Sequence, residues 1–344
     1  MSDFRIDQIT NQAGTAGPQI AGITTFSSTS GLLMPLGPTE YRGGRDRGII
    51  ANGGQFSPGS RNIIDYITIS TAGNALDFGD TTQAREGVAM VSSSTRGISA
   101  GGGQFGTPIY NILDYITISS TGNAFDFGDL TTARRETAGV SNSTRGIIAG
   151  GYFDAPIASD YTTIDYVTIA SLGNASFFGD LLTKTREIHC GLCNSSTRGV
   201  FGGGATPSLQ NVIQFVTIST LGNTQDFGDL TSPRRLGGAC SSSIRGIFAG
   251  GNTPSVVNTI DYITIASTGD AIDFGDLTQS RIGVSGLSNQ TRGVFTGGYI
   301  APAGVNTIDF VTIASIGNAT DFGDLSQSRG NTGACSDAHG GLGD

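Results

Sequence analysis

The stretch Ile112-Leu-Asp-Tyr-Ile-Thr-Ile-Ser119, the turn pair Gly122-Asn123 and the run Asn123-Ala-Phe-Asp-Phe127 together decide the fold. The first is rich in β-branched and aromatic residues, the composition of a strand. Its apolar side chains fall on both faces, as expected of a sheet packed between two others. A Gly-Asn pair suits a tight turn, so the run after it reads as a second, antiparallel strand. Upstream, Gly87-Val-Ala-Met-Val91 and Gly97-Ile-Ser-Ala100 read as two more short strands, the latter closed by Gly101-Gly102. No 3.6-residue apolar period competes with this reading.

The unit repeats. Arg-Gly followed by apolar residues recurs at Arg47, Arg96, Arg145, Arg198, Arg245 and Arg292, every 47–53 residues. Phe-Gly-Asp recurs with it, ending at Asp80, Asp129, Asp180, Asp229, Asp276 and Asp324. An apolar-Asp-aromatic triplet opens the third strand at Ile64, Leu113, Ile164, Ile260 and Ile308, and the remaining copy reads Ile213-Gln214-Phe215. A period near 50 residues with four strands per unit predicts the blades of a propeller. Second, third and fourth strands each occur six times from Arg47 onward, with blades beginning near residues 47, 86, 135, 187, 235 and 282. The final first strand, within 330–338, has no partner after it. It is therefore expected to become the innermost strand of the first blade, joining the chain ends and removing an open sheet edge. The expected architecture is all-β, a six-bladed propeller over 47–344 preceded by a non-propeller arm over 1–46. More than half of the 54 glycines occupy repeat positions at turns and strand ends, where positive φ or close packing favours them.

The arginine before the first strand, the Gly-Gly pair after the second and the aromatic in the third resemble kelch repeats. The chain departs from them in having no tryptophan, and Phe78, Phe127, Phe178, Phe227, Phe274 and Phe322 stand in the fourth strand instead. A second resemblance covers nearly the whole chain. An arm of the type Asp3-Phe-Arg-Ile-Asp with Gly22-Ile-Thr-Thr-Phe-Ser-Ser28, followed by repeats such as Thr259-Ile-Asp-Tyr-Ile-Thr-Ile-Ala266 and Asp273-Phe-Gly-Asp276, resembles virion structural proteins of marine cyanobacterial tailed phages. That resemblance implies a particle component present in several copies, found in the virion and made in the host cytoplasm. The opening Met1-Ser-Asp-Phe-Arg-Ile-Asp lacks the layout of a signal peptide, which agrees with it.

Charge excludes other classes. The net charge is −9, and only Lys184 among the 19 basic residues is a lysine, so no basic stripe is available for nucleic acid. No apolar run is long enough for a membrane span. His189-Cys190-x-x-Cys193 has the look of half a zinc site. Yet Cys193, Cys240 and Cys335 share a repeat position with Val91, Val140 and Leu287, so they read as small core residues. Asp-Phe-Gly recurs as a turn, outside any kinase context. The Phe-Gly-Asp aspartates are expected to bind turn amides or the arginine five or six residues on, such as Arg85, Arg134 and Arg186, with calcium a lesser alternative. With two histidines there are no ligands for the copper of kelch-type oxidases, and the repeated acids single out no glycosidase pair. No cofactor, metal or catalytic residue is predicted, and the protein is read as a non-enzyme.

Function is then expected where the blades differ. The loops between second and third strands vary in length and bring aromatic anchors to one face, namely Phe105, Tyr110, Tyr152, Phe153, Tyr161 and Tyr299. They suit contact with a host surface protein or glycan. The arm carries Phe4, Ile20, Ile23, Phe26, Leu32 and Leu33 as candidate anchors to other virion proteins.

Overall fold

A computed structural model describes residues 46–55, 59–104, 108–153, 159–187 and 190–342. The arm anchors Phe4 to Leu33, the loop residue Phe105 and His189 lie outside those residues. The remainder is all-β, six sheets of four antiparallel strands. The second blade shows the plan: Ala89–Ser92, Arg96–Ala100, Ile112–Thr117 and Phe125–Asp129 follow one another from the inside outward. The first blade takes its inner strand from the other end of the chain. Gly333–Ser336 pairs with Arg47–Ala51, Gly48 opposite Ser336, so the propeller closes as the repeat count requires. Two short hairpins, Tyr152–Phe153 with Ser159–Asp160 and Tyr299–Ile300 with Ala303–Gly304, decorate the third and sixth blades and were not expected.

Packing follows the alternation within each strand. Ile98, Leu113 and Phe127 of blade two lie in one buried cluster with Ile148, Val167 and Ile169 of blade three, and equivalent clusters fill the spaces between the other blades. Each third-strand aromatic meets the fourth-strand phenylalanine edge to face, as Tyr166 does Phe178 at 6.1 Å. Phenylalanine thus fills the wedge beside each third-strand aromatic.

The outer strands would leave six unpaired edges, the usual hazard of a β-sheet. Each is covered by the turn of the following blade, Gly-Asn in five blades and Gly269-Asp270 in the fifth. Gly122 N–H donates to the Phe78 carbonyl at 2.7 Å, Ala124 N–H to that of Asp80 at 2.8 Å, and Asn123 Oδ1 accepts from Asp80 N–H at 3.1 Å. This approach needs glycine on the outer strand: a Cβ on Gly128 (φ 145°) would lie 2.5 Å from the Gly173 carbonyl oxygen.

Strand direction defines two faces. The second-to-third-strand loops and the links between blades lie on one. The tight hairpin turns lie on the other, together with Asp46, whose carbonyl accepts from Ile69 N–H at 2.8 Å and whose carboxylate binds Ser70 N–H and Asn289. Asp46 is therefore fixed by the propeller itself, on the turn face.

Candidate functional site

Interactions between blades organise the molecule, and three sets of them recur. On the turn face, the arginine opening each second strand lies over its own blade's third-strand aromatic and donates to a carbonyl of the next blade. Arg47 is 4.6 Å from the Tyr66 ring centre and 2.9 Å from the Ile118 oxygen. Arg96, Arg145, Arg198, Arg245 and Arg292 repeat this without exception. Around the central channel, Ser92, Ser141, Asn194, Ser241, Ser288 and Ser336 each donate from the side chain to the backbone carbonyl of the preceding member, which closes a cyclic ring.

The third set is buried. Arg85, Arg134, Arg234, Arg281 and Arg329 are fully buried in the links between blades. They pair at 2.7–3.0 Å with Asp114, Asp165, Asp261, Asp309 and Asp65, which stand in the third strand of the next blade. The same aspartates accept from a hydroxyl just after the preceding outer strand, as Asp165 does from Thr131 Oγ1 at 2.8 Å. Burial lowers the pKa of Arg85, Arg134, Arg281 and Arg329, opposed by the adjacent carboxylate. This corrects the expected pairing with the Phe-Gly-Asp aspartates. Each arginine reaches forward into the next blade rather than back along its own turn.

The pairing also corrects a register. Five residues after Asp180 stands Thr185, not an arginine. Arg186 is the counterpart of Arg135 and is partly exposed, with Asp160 at 4.0 Å. The facing position, an aspartate in five blades, is Gln214. Thr185 and Gln214 are both buried. Leu182 replaces the hydroxyl residue, and its N–H still reaches Gln214 Oε1 at 3.0 Å. Thus the seam between blades three and four has lost arginine, aspartate and hydroxyl together.

Of the loop aromatics, Tyr110, Tyr152, Phe153 and Tyr161 are half-buried on the loop face. Tyr152 has Arg135 4.9 Å and Arg186 5.7 Å from its ring centre. Tyr299 turns inward instead. Its ring covers Gly330, and its hydroxyl donates to the Gly54 carbonyl at 3.0 Å beside Glu86. Burial, with Glu86 adding to it, raises its pKa. It ties blade six to blade one and does not serve as a surface anchor. Arg235, in the link from blade four to blade five, forms a further ion pair at 2.5 Å with Glu187, in the link from blade three to blade four.

The channel is narrow, lined by small residues such as Ala89, Ala138, Gly139, Gly286 and Ala334. His339 occupies its mouth on the turn face, 3.1 Å from Ser92 Oγ, with Nδ1 accepting from Gly341 N–H at 3.0 Å. Burial pushes its pKa down to about 4, so the ring is neutral near pH 7. The buried cysteine Cys335 is shifted up to about 12 by burial, as an apolar core thiol would be. Among the described residues no three of His, Cys, Asp and Glu converge on a point that could hold a metal, and no helix is long and apolar enough to cross a membrane.

Fold and interactions define a six-bladed β-propeller, an architecture consistent with a binding or structural module. No protein-family model matches the chain, and no curated protein matches it.

Proposed function

We propose that the protein is a non-enzymatic structural component of a phage particle. Residues 1–46 dock to the capsid, tail or fibre lattice, and the propeller is displayed as a decoration or adhesion module. The observation that carries this reading is the placement of Asp46 on the turn face, opposite the variable loops. A propeller held through the segment before Asp46 would point Tyr110, Tyr152, Phe153 and Tyr161 away from its support. The resemblance of arm and repeats to cyanophage virion proteins agrees. So does the rigidity of a ring closed at every blade, which suits a part that must persist outside a cell.

Deleting residues 1–46 and quantifying the protein in purified particles tests this reading. Loss of incorporation, with the free propeller still folded, is the expected result, and undiminished incorporation sinks it. The second reading, a soluble kelch-type module for a host protein or glycan, is favoured by Tyr152 between two arginines, an arrangement that presents ring and cation together. Mass spectrometry of purified virions separates the two, since absence of the full chain from particles favours the module.

A further inference from the structure

Among the described residues, blade one alone has no hairpin between its two inner strands, since Gly333–Ser336 and Arg47–Ala51 are far apart in the chain. In the other five blades a hairpin side chain, Ser93, Asn142, Ser195, Ser242 or Asn289, accepts from the backbone N–H of the arginine three residues on. Asp337 takes that place in blade one. Its Oδ1 accepts from Arg47 N–H at 2.9 Å, and its own N–H donates to the Arg47 carbonyl at 3.2 Å. Hydrogen bonds thus stand where the other blades have a covalent turn.

The residues after Asp337 enter the channel mouth and touch every other blade. His339 Nε2 lies 3.1 Å from Ser92 Oγ of blade two and 3.5 Å from Ser141 Oγ of blade three. Asn194 Nδ2 of blade four is 3.5 Å from His339 Nδ1, and Gln290 Nε2 of blade six donates to the His339 carbonyl at 3.5 Å. Gly340 lies against the Ser242 carbonyl of blade five, and Gly341 against the Ser141 carbonyl and Asn194. Both glycines are buried, and neither position leaves room for a Cβ.

We propose that residues 337–342 form a latch that holds the propeller shut in place of the missing hairpin, and that protonation of His339 releases it from the channel while the blades stay folded. Geometry sets the sign. Nδ1 accepts from Gly341 N–H at 3.0 Å, so the proton of the neutral ring lies on Nε2, toward Ser92 Oγ. A second proton must go to Nδ1, where it opposes the Gly341 N–H and breaks that bond. The surroundings offer the cation no counter-charge. Ser92, Ser141, Asn194, Ser242 and Gln290, one from each blade packed against the segment, are uncharged. Asp337, the carboxylate on the segment itself, is engaged by Arg47 N–H. A buried imidazolium without an anion is costly, whereas a released one is hydrated. Burial holds the ring's pKa down at about 4, so the latch is closed above about pH 6.5 and loosens as pH falls toward 4.

Hydrogen exchange of the full chain at about pH 7 and about pH 4.5, read by mass spectrometry and corrected for the intrinsic rate, tests the latch. Protection over residues 333–342 should fall up to about tenfold for each unit below 6.5, while Ile112–Thr117 of blade two keeps its own. His339→Gln cannot take up the proton, so its exchange there should be the same at both pH values, from whatever level it starts. Asp337→Asn keeps the acceptor for Arg47 N–H and should retain the acid response. Gly341→Ala, whose Cβ runs into the Ser141 carbonyl, should expose the segment already at about pH 7. Wild-type protection that does not change with pH overturns the proposal, and so does an equal fall in Ile112–Thr117. It is overturned equally if His339→Gln keeps the response, if Asp337→Asn abolishes it, or if Gly341→Ala is as protected as the wild type.

Discussion

Five seams of the propeller hold a buried arginine against an aspartate, and the sixth, between blades three and four, holds Thr185 against Gln214. All six bring the same backbone surfaces together: through the third and fourth blades the arginine layer on the turn face runs unchanged, and the ring around the channel continues with Asn194 in the place of serine. The comparison separates what closes the ring from what is added to it. Apolar packing and backbone hydrogen bonds suffice to make a seam. The ion pair is an addition whose two halves are present or absent together, which is the expectation for a buried pair. Either charge alone is far more costly than both or neither. Neutral replacement of both partners is tolerated because Gln214 keeps the acceptor for the Leu182 amide and Thr185 bonds locally to the Thr183 carbonyl.

The harshest break is in ring closure. Truncation after Gly330 removes the inner strand of blade one and uncovers Ile49 and Ile50, both fully buried. The truncated chain should lose its cooperative thermal transition and bind apolar dyes, whereas a full-length chain altered only at the blade three–four seam should melt cooperatively.

Next comes the removal of one charge. Arg134→Thr leaves Asp165 buried without its cation and should lower the unfolding free energy by about 3–5 kcal/mol in denaturant titration. Thr185→Ala, at the same place in the neutral seam, should cost about 1 kcal/mol.

A smaller effect concerns pH. His339 is neutral in the folded protein, with its pKa near 4 rather than 6.5, so the unfolded chain binds more protons between those values. Stability from this residue is complete above pH 6.5 and should fall by up to about 1.4 kcal/mol per unit as pH drops toward 4. The groups facing it are the uncharged Ser92, Ser141 and Asn194. His339→Gln should flatten that slope in melts run at both ends of the range.

The smallest change tests the invariant layer. Arg96→Lys keeps the charge but gives up the planar group over Tyr115, and should cost about 1 kcal/mol, as should Arg145→Lys at the divergent seam. A markedly larger loss at one of the two would show that the seams differ on this face as well.

Six blades, their four strands and the closing strand were legible in the repeat, because turn glycines and β-branched runs act locally and were present six times over. The arginine partners were not. Arg85 and Asp114 are 29 residues apart and in different blades, and the local Phe-Gly-Asp acids offered a nearer but incorrect alternative. The clue lay in one paired departure, Gln214 for aspartate and Thr185 for arginine, which the neighbouring Arg186 concealed. Tyr299 could not be told from Tyr152 by sequence, since both open a hairpin and only the packing against Gly330 turns one ring inward.

The direct test of the clasp as a unit is to give the second seam the residues of the third. Unfolding free energies of Arg134→Thr, Asp165→Gln and the double variant, measured side by side, form a double-mutant cycle. If the two residues act as one element, the double variant will be more stable than either single variant. Losses that simply add, leaving the double variant the least stable of the three, would contradict the account.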